Sequence, residues 1–420
     1  MSEPPAEPLA KGPSPGRASS FRSGMVGRAL VLLVLAAIAW MALARPRQDF
    51  DLMAYVGVVH AYDAPSDEAA RERTVADLRR ELSDERFAWM VGRDYPNGYA
   101  HAMAFEPRSF AQQLVWFRGR PLFTRSAWIV SKLGVPVPRA LHLVALVSTL
   151  ALALVFFWGT RAPSDAPAPR GHEAFRFCVW LAIGAIFHLD ELAASPLSDP
   201  LSSALVVGGL LLVLTPALPR RAPCVGLGVL VVSVLARSDN AMYVAALALF
   251  TIVLALQKKN LGISPRILVF ATLAAFALRA WVERGSYGWA ALVHFRRVHF
   301  ETYPADVRAT LDASTYLGIV RTWSIEVYAC EVLALVGVAL LFAHPRLRAR
   351  TSDPFVAFAI AMLPLAVVRF FAFPDWDSRF FVAPLGLFFL GLARAIVLAR
   401  TSASPEPHVP ETRGGVPSPR

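Results

Sequence analysis

The chain has 420 residues, of which 55% are hydrophobic and only 17% are charged. This balance excludes an ordinary water-soluble domain, in which about a quarter of the residues carry a charge. The net charge of +11 does not indicate a nucleic-acid-binding protein. The basic residues lie in short segments between apolar blocks and at both ends, without a basic face that carries aromatic platforms.

Long apolar blocks with few charges recur along the chain. Each block is about long enough to cross a hydrocarbon layer of ~30 Å as a helix that rises ~1.5 Å per residue. A β-barrel is disfavoured, because runs such as ALVLLVLAAIAWMALA do not alternate between apolar and polar residues. The sequence therefore predicts an all-α fold, a polytopic transmembrane helix bundle with about ten membrane helices. The predicted helices are residues 29–44, 139–158, 175–192, 200–217, 223–236, 240–256, 267–282, 325–342, 354–371 and 380–399.

The short loops between these helices alternate in charge. Basic residues such as Arg220 and Arg221 are concentrated in every second loop, whereas the loops between them carry acids such as Asp190 and Asp199. Lys and Arg in short loops are retained on the cytoplasmic side during insertion. The alternation therefore predicts a multi-pass protein of the plasma membrane, which in a bacterium is the inner membrane, with both termini in the cytoplasm.

The two ends of the chain differ from the rest. Residues 1–28 and 400–420 are rich in Pro, Ser, Gly and Arg and poor in apolar residues, so they cannot bury enough surface to offset the entropy of ordering. They are predicted to be disordered cytoplasmic tails on either side of a membrane domain of residues 29–399. The first apolar block could alternatively be a cleaved signal peptide, because Ala42-Leu43-Ala44 resembles a small-residue cleavage site.

Two long segments, residues 45–138 and 283–324, are predicted to form outer loops. In the first loop, Ser66 followed by two acids is typical of a helix N-cap, and Leu78 lies on the apolar face of the amphipathic helix that follows. Residues 121–133 indicate a further short apolar helix. Neither loop is long enough for a conventional catalytic domain.

Acidic residues gather at the predicted outer ends of the spans. They are Asp49, Asp51, Asp190, Glu191, Asp199, Asp239, Glu283, Glu326, Asp375 and Asp377. Acids that face lipid are costly, so a set of them at one level is expected to line a water-filled cavity or a site. Another interpretation is that outer loops become acidic by default when Lys and Arg are excluded from them.

Fewer basic residues share this level. They are Arg237, Arg279, Arg284, Arg321, Arg369 and Arg379. Arg279 and Arg369 lie within apolar runs, where a guanidinium must reach a carboxylate, a phosphate, backbone carbonyls or the membrane interface. They are expected to form structural ion pairs or a clamp for a lipid phosphate, to which the forked donors of arginine are suited.

Four segments carry a resemblance to a known family. QDFDLMAYVGVVHAYD, directly after the first span, resembles the start of the first outer loop in membrane glycosyltransferases of GT-C fold, which use polyprenyl-phosphate-linked sugars. SPLSDPLSSALVVGGLLLVL resembles their Ser-Asp/Glu-Pro helix start, VLARSDNAMYVAALALF their Arg-Pro-Asp segment, and DSRFFVAPLGLFFLG their final Arg-Tyr-x-x-Pro helix. The resemblance extends over residues 29–399. The chain has Ser238 where these enzymes have proline and Phe380 where tyrosine is common.

The resemblance implies a GT-C-like fold and a mannosyltransferase-like hexosyltransferase. Such an enzyme transfers a sugar from a polyprenyl-phosphate donor to an acceptor hydroxyl at the outer leaflet, with inversion at the anomeric carbon. Its phosphate leaving group needs no general acid, so one carboxylate base and one cationic clamp suffice, whereas glycoside hydrolysis generally uses a second carboxyl.

The resemblance also assigns site residues by similarity of position. Asp51 is expected to be the catalytic base, with Asp49 as the alternative, and residues two apart point in different directions, so only one is expected to enter the cleft. The expected substrate ligands are Asp199 and Asp239 for the acceptor or sugar hydroxyls and Arg237 and Arg379 for the phosphate, with Arg321 as a further substrate-binding residue.

No cofactor is indicated with certainty, and a dependence on a divalent metal is left open. His294, His299 and Glu301 are five and two positions apart, a spacing that suits no single helical face. Three cysteines lie far apart without CxxC spacing, which indicates neither a disulfide framework nor a zinc site. The expected partners are the lipid-linked donor and membrane lipids, not nucleic acid, and the oligomeric state is not indicated.

Two other classes of protein share this composition and topology. A transporter or flippase often shows internal repeats and charges near the middle of the bilayer, whereas here the charges gather at one face. A non-catalytic membrane subunit of envelope glycan assembly would need no carboxylate base.

Overall fold

The computed structural model describes residues 16–401 except 49, 96–97, 162–170, 216–217, 220, 260, 262, 299, 307–310, 324–328 and 375–376. All regular structure in the described residues is helical, which confirms the predicted all-α fold. The helices are α1 (Gly16–Ala44), α2 (Asp51–His60), α3 (Asp67–Glu81), α4 (Asp84–Met90), α5 (Tyr99–Phe105), α6 (Pro107–Arg118), α7 (Pro121–Lys132), α8 (Val137–Gly159), α9 (His172–Ile186), α10 (Leu189–Ala194), α11 (Asp199–Leu214), α12 (Ala222–Ser233), α13 (Ala241–Leu256), α14 (Pro265–Val282), α15 (Trp289–Arg297), α16 (Ala313–Trp323), α17 (Ala329–Ala343), α18 (Pro345–Arg348), α19 (Pro354–Ala372) and α20 (Val382–Thr401).

Six of these helical stretches in the described residues are long and apolar enough to cross a membrane. They are Gly27–Ala44, Val137–Gly159, Ser238–Leu256, Pro265–Val282, Pro354–Ala372 and Val382–Arg400. A seventh span results if α17 and the helical residues that follow it, which meet at 93°, are taken together. The chain is therefore a helical protein with several apolar helices suited to a bilayer.

The predicted count of about ten spans is not confirmed. Each predicted segment contains helix, but α9, α11, α12 and α17 have only 15, 16, 12 and 15 residues. At ~1.5 Å per residue, the shortest of them extends about 18 Å, which is less than a hydrocarbon layer of ~30 Å. The predicted span 175–192 is also interrupted, because the chain turns at His188, which adopts a left-handed backbone conformation with φ of 49°.

The first helix begins before the position that the sequence predicts. α1 starts at Gly16, so residues 16–28, which are predicted as part of a tail, are helical in the structure. Residues 1–15 and 402–420 lie outside the described residues, and the predicted disorder of the two tails stays a prediction.

Residues 45–138, called the first outer segment after the prediction for them, include six short helices that share a core of their own. Helices α2 to α7 bury Tyr55, Phe110, Leu114 and Phe123 against the first turns of α8. Ser66 caps α3 as predicted, because its hydroxyl accepts a hydrogen bond of 3.2 Å from the backbone N–H of Ala69. These contacts hold α2, the first helix after α1, against the first turns of α8.

The second outer segment packs against the first one. The side chain of Gln113 on α6 donates a hydrogen bond of 2.6 Å to the backbone carbonyl of Glu301, and Arg108 forms an ion pair of 2.7 Å with Asp306. Within the bundle, α11 and α12 approach closely at Gly209 and Gly226, where an added Cβ would lie under 3.0 Å from neighbouring atoms. Small residues permit this backbone approach in membrane helix pairs.

Candidate functional site

Charged side chains from four parts of the bundle meet at one end of it. Asp199 begins α11, and Arg237 and Asp239 lie in the turn that joins α12 to α13. Arg369 lies in the last turn of α19, and Arg379 lies in the 3-10 turn that precedes α20. The sequence predicts that these residues share one level, and the side-chain contacts described next bring them together.

Two carboxylates and two guanidiniums form a continuous ion network. Arg237 pairs with Asp199 and lies 3.2 Å from a carboxylate oxygen of Asp239, which in turn pairs with Arg369. The Asp199 side chain is 5% exposed and that of Arg369 is 11% exposed. A buried charge needs a partner of opposite sign, so the network stabilises each charge through its neighbours.

An aromatic ring lies at the centre of the arginines. The guanidiniums of Arg237, Arg369 and Arg379 lie 5.0, 5.7 and 4.9 Å from the ring centroid of Phe380. The face of an aromatic ring attracts cations, so Phe380 holds three like charges close together. The carboxylate of Asp377, 2.9 Å from Arg379, offsets part of this positive charge.

The first outer segment contributes a tyrosine and a fourth arginine. Arg120, just before α7, donates a hydrogen bond to the hydroxyl of Tyr55 on α2, and this hydroxyl lies 3.4 Å from the hydroxyl of Ser198. Burial raises the pKa of Tyr55 above its usual value, and the positive charge of Arg120 acts against that rise. Arg120 and the three arginines at Phe380 all act electrostatically on Asp199.

Asp51, the predicted base, is the first residue of α2 and is partly buried. It lies four positions before Tyr55, a spacing that places two side chains on the same face of a helix. Its negative charge acts on the hydroxyl of Tyr55, and this hydroxyl lies 3.4 Å from the hydroxyl of Ser198. Asp51 therefore lies one helical turn from Tyr55, whose hydroxyl contacts the residue that precedes Asp199.

A cavity of about 150 Å³ opens beside the network. Its walls include Arg47 in the segment between α1 and α2, His188 and Glu191 at α10, and Asp377 and Arg379 before α20. Arg47 and Glu191 form an ion pair of 2.8 Å across it. The cavity therefore lies between the segment that leads into α2 and the turn that carries Arg379. Asp51, at the start of α2, does not line it.

The remaining predicted residues have different surroundings. Asp49 lies outside the described residues, so its assignment as the alternative base stays a prediction. Arg321 is exposed on α16, and its assignment as a substrate ligand also stays a prediction. Arg279 pairs with Glu283 at 3.1 Å, one helical turn away, which is the structural ion pair that the sequence analysis weighed for it.

No group of three His, Cys, Asp or Glu side chains that could hold a metal ion occurs in the part of the chain that the structure describes. His299 lies outside that part, whereas the side chains of His294 and Glu301 approach each other to 4.0 Å. Because His299 is not described, the question of a divalent metal at this cluster stays open.

Sequence reasoning missed Tyr55 and Arg120. The position of Tyr55, one helical turn after the predicted base Asp51, could have indicated it. Arg120 carries no comparable signal, because its contact with Tyr55 spans 65 positions. Comparisons of the chain with protein-family models, with curated proteins and with solved structures find no match.

Proposed function

We propose that the chain is a membrane glycosyltransferase that moves a sugar from a polyprenyl-phosphate donor to an acceptor hydroxyl with inversion. The observation that carries the proposal is the convergence of three arginines around Phe380, beside a cavity that Arg379 lines. Clustered guanidiniums at the mouth of an apolar bundle suit a phosphate attached to a lipid chain. The GT-C resemblance supports the same reaction.

The contacts favour different roles for the arginines in this reaction. Arg237 is engaged by Asp199 and Asp239, and Arg369 by Asp239, so these four side chains hold the helix ends in position. Arg379, which pairs with Asp377, differs from these two arginines in that it lines the open cavity, and it is the phosphate ligand in this proposal. Asp199 and Asp239 are thus positioning residues here, rather than ligands of hydroxyl groups.

The proposed step forms one bond and breaks one bond at the anomeric carbon, and it transfers one proton from the acceptor hydroxyl to a carboxylate. The acceptor oxygen attacks the anomeric carbon, and the bond from that carbon to the phosphate oxygen breaks, with its electron pair leaving on the phosphate. The carboxylate of Asp51, or that of Asp49, takes the acceptor proton. Attack on the face opposite the departing phosphate inverts the anomeric centre.

The finer topology belongs to the same proposal. The short apolar helices α9, α11, α12 and α17, together with the six long stretches, give about ten crossings. Loops rich in Lys and Arg then lie in the cytoplasm with both termini. This places the Asp199 end of the bundle at the outer leaflet of the inner membrane.

Analysis of bound lipid tests the proposal. We expect mass spectrometry of the protein purified in mild detergent to detect a polyprenyl phosphate or its glycosylated form. Arg379→Ala should remove the bound lipid, whereas Arg93→Ala, which changes an exposed arginine in the outer segment, should retain it. Absence of such a lipid from the wild type, or equal retention by both variants, would contradict the phosphate site.

The same preparation separates the proposal from its alternatives. A flippase would move a fluorescent polyprenyl-phosphate sugar across a proteoliposome membrane without consuming it. A glycosyltransferase would release free polyprenyl phosphate from that donor when an acceptor is supplied. A non-catalytic subunit would do neither.

A further inference from the structure

A second cavity, of about 470 Å³, lies at the opposite end of α2 from Asp51. It opens between α2, α3 and α7 and includes residues 134–137, which lead into α8. His60, one of its lining residues, comes nine residues after Asp51, which is about 14 Å along the helix axis at ~1.5 Å per residue. It is therefore separate from the site at Asp199.

The polar walls of this cavity are ordered by depth. Carboxylates lie deeper: Asp77, 12% exposed, accepts a hydrogen bond of 2.9 Å from His60, and Glu81 is 9% exposed. Cations lie at the rim, where the side chains of Arg80 and Lys132 are 67% and 54% exposed. Arg73 also lines the cavity and is exposed.

The carboxylate of Asp63 connects the rim to an aromatic wall. It accepts hydrogen bonds of 2.7 Å from the indole N–H of Trp128 and from the ammonium of Lys132. These hydrogen bonds, that from Lys132 first, hold the pKa of Asp63 below its usual value. A carboxylate has about four acceptor positions, so it keeps room for a ligand donor.

Apolar side chains project beside the cavity. Ile129 in α7 and Leu133 directly after it follow the cavity-lining residues Trp128 and Lys132 in sequence, and they are 58% and 80% exposed. The apolar stretch Val137–Gly159 begins at the cavity edge and has 23 residues. That corresponds to about 34 Å at ~1.5 Å per residue, slightly more than a hydrocarbon layer of ~30 Å. The first turn of α8, and the cavity beside it, thus lie at headgroup level.

We propose that this cavity binds the headgroup of a membrane phospholipid that carries a phosphate together with O–H or N–H donors. The rim cations Arg73 and Lys132 meet the phosphate, and the carboxylates of Asp63 and Asp77 accept hydrogen bonds from the headgroup donors. Ile129 and Leu133 contact the acyl chains. The site does not depend on glycosyl transfer.

Lipid binding to the purified full-length protein tests this assignment. Phosphatidylglycerol offers hydroxyl donors, phosphatidylethanolamine offers an ammonium, and phosphatidylcholine offers no donor. We expect native mass spectrometry in detergent to show tighter binding of the first two lipids than of phosphatidylcholine. Tighter binding of phosphatidylglycerol would show that the site prefers hydroxyl donors, and tighter binding of phosphatidylethanolamine that it prefers an ammonium.

Substitutions locate the binding. Arg73→Ala combined with Lys132→Ala should weaken binding of phosphatidylglycerol and phosphatidylethanolamine by about tenfold, because each interfacial cation contributes severalfold. Arg93→Ala, an exposed arginine of the same segment, should change it little. Equal binding of all three lipids, or no loss in the double variant, would overturn the proposal.

A third variant separates a lipid from a soluble ligand with the same headgroup. Leu133→Asn removes an exposed apolar contact and leaves the cavity walls in place. We expect it to weaken phospholipid binding and to leave the weak binding of glycerol phosphate unchanged. Tight binding of glycerol phosphate that Leu133→Asn does not alter would identify a soluble ligand and contradict the lipid assignment.

Discussion

Arg237 and Asp199 are 38 positions apart in sequence, yet their side chains form an ion pair in which they are only 15% and 5% exposed. The pair joins the start of α11 to the turn between α12 and α13. Because both charges are removed from water, each depends on the other. The pair therefore fixes the geometry of the helix ends around the proposed site.

Loss of Arg237 is expected to destabilise the protein strongly. Arg237→Ala removes the ion-pair partner of the buried Asp199 carboxylate, which should lower the free energy of unfolding by about 3–5 kcal/mol. Arg47→Ala is the matched control, because Arg47 also pairs with an acid but is 55% exposed. That control should cost about 1 kcal/mol or less. Denaturant unfolding in detergent measures both values, and equal losses would contradict the importance of burial.

A glycine substitution tests the packing that holds α2. An added Cβ at Gly57 would lie 2.7 Å from the Phe110 ring and 2.8 Å from Leu114, so Gly57→Ala should cost about 1–3 kcal/mol. Gly228→Ala, in α12, has no atom within 4 Å of the added Cβ and should be neutral or gain up to about 1 kcal/mol. The melting temperature of Gly57→Ala should fall, whereas that of Gly228→Ala should stay the same or rise. A similar loss in both would contradict the close packing.

The pH dependence of stability tests the pair of Asp77 and His60. Burial opposes ionisation of Asp77, but the hydrogen bond from His60 and the charges of His60 and Arg80 hold its pKa below the usual value. A carboxyl with a lowered pKa in the folded state contributes stability that is complete above its unfolded pKa of about 3.9 and is lost as the pH falls through the folded pKa. The melting temperature of the wild type should therefore fall more steeply below about pH 4 than that of Asp77→Asn. Parallel curves for the two proteins would contradict this contribution.

The sequence predicted the all-helical fold and the longest apolar helices, whereas the count of about ten spans is not confirmed. The predicted helix 354–371 coincides with α19 almost to the residue, since Asp353 and Pro354 mark its start. The break at His188 could not be predicted in the same way. The neighbours Phe187 and Leu189 are apolar, and neither glycine nor proline lies at the turn. Asp190 and Glu191 follow directly, but acids at this position are equally typical of the end of a helix span.

The sequence indicates which residues belong to the site better than it indicates which of them form ion pairs. Arg369 was singled out because a guanidinium in an apolar run needs a partner, but its partner Asp239 is 130 positions away. Nothing local distinguishes Asp239 from the other acids at the same end. The burial of Asp199 was likewise hidden, because it follows from the packing of α11 against α8 and α12.

The transfer rate of Asp51→Asn tests the central claim most directly. With a radiolabelled hexosyl polyprenyl phosphate as donor and a native membrane extract as acceptor, Asp51→Asn, or its double variant with Asp49→Asn, should lower the rate by about 10²–10⁴-fold. Its unfolding should match that of the wild type. Asp190→Asn, which changes an exposed acid at the same end of the bundle, should retain the full rate. Transfer by the double variant at the wild-type rate would contradict the proposed carboxylate base.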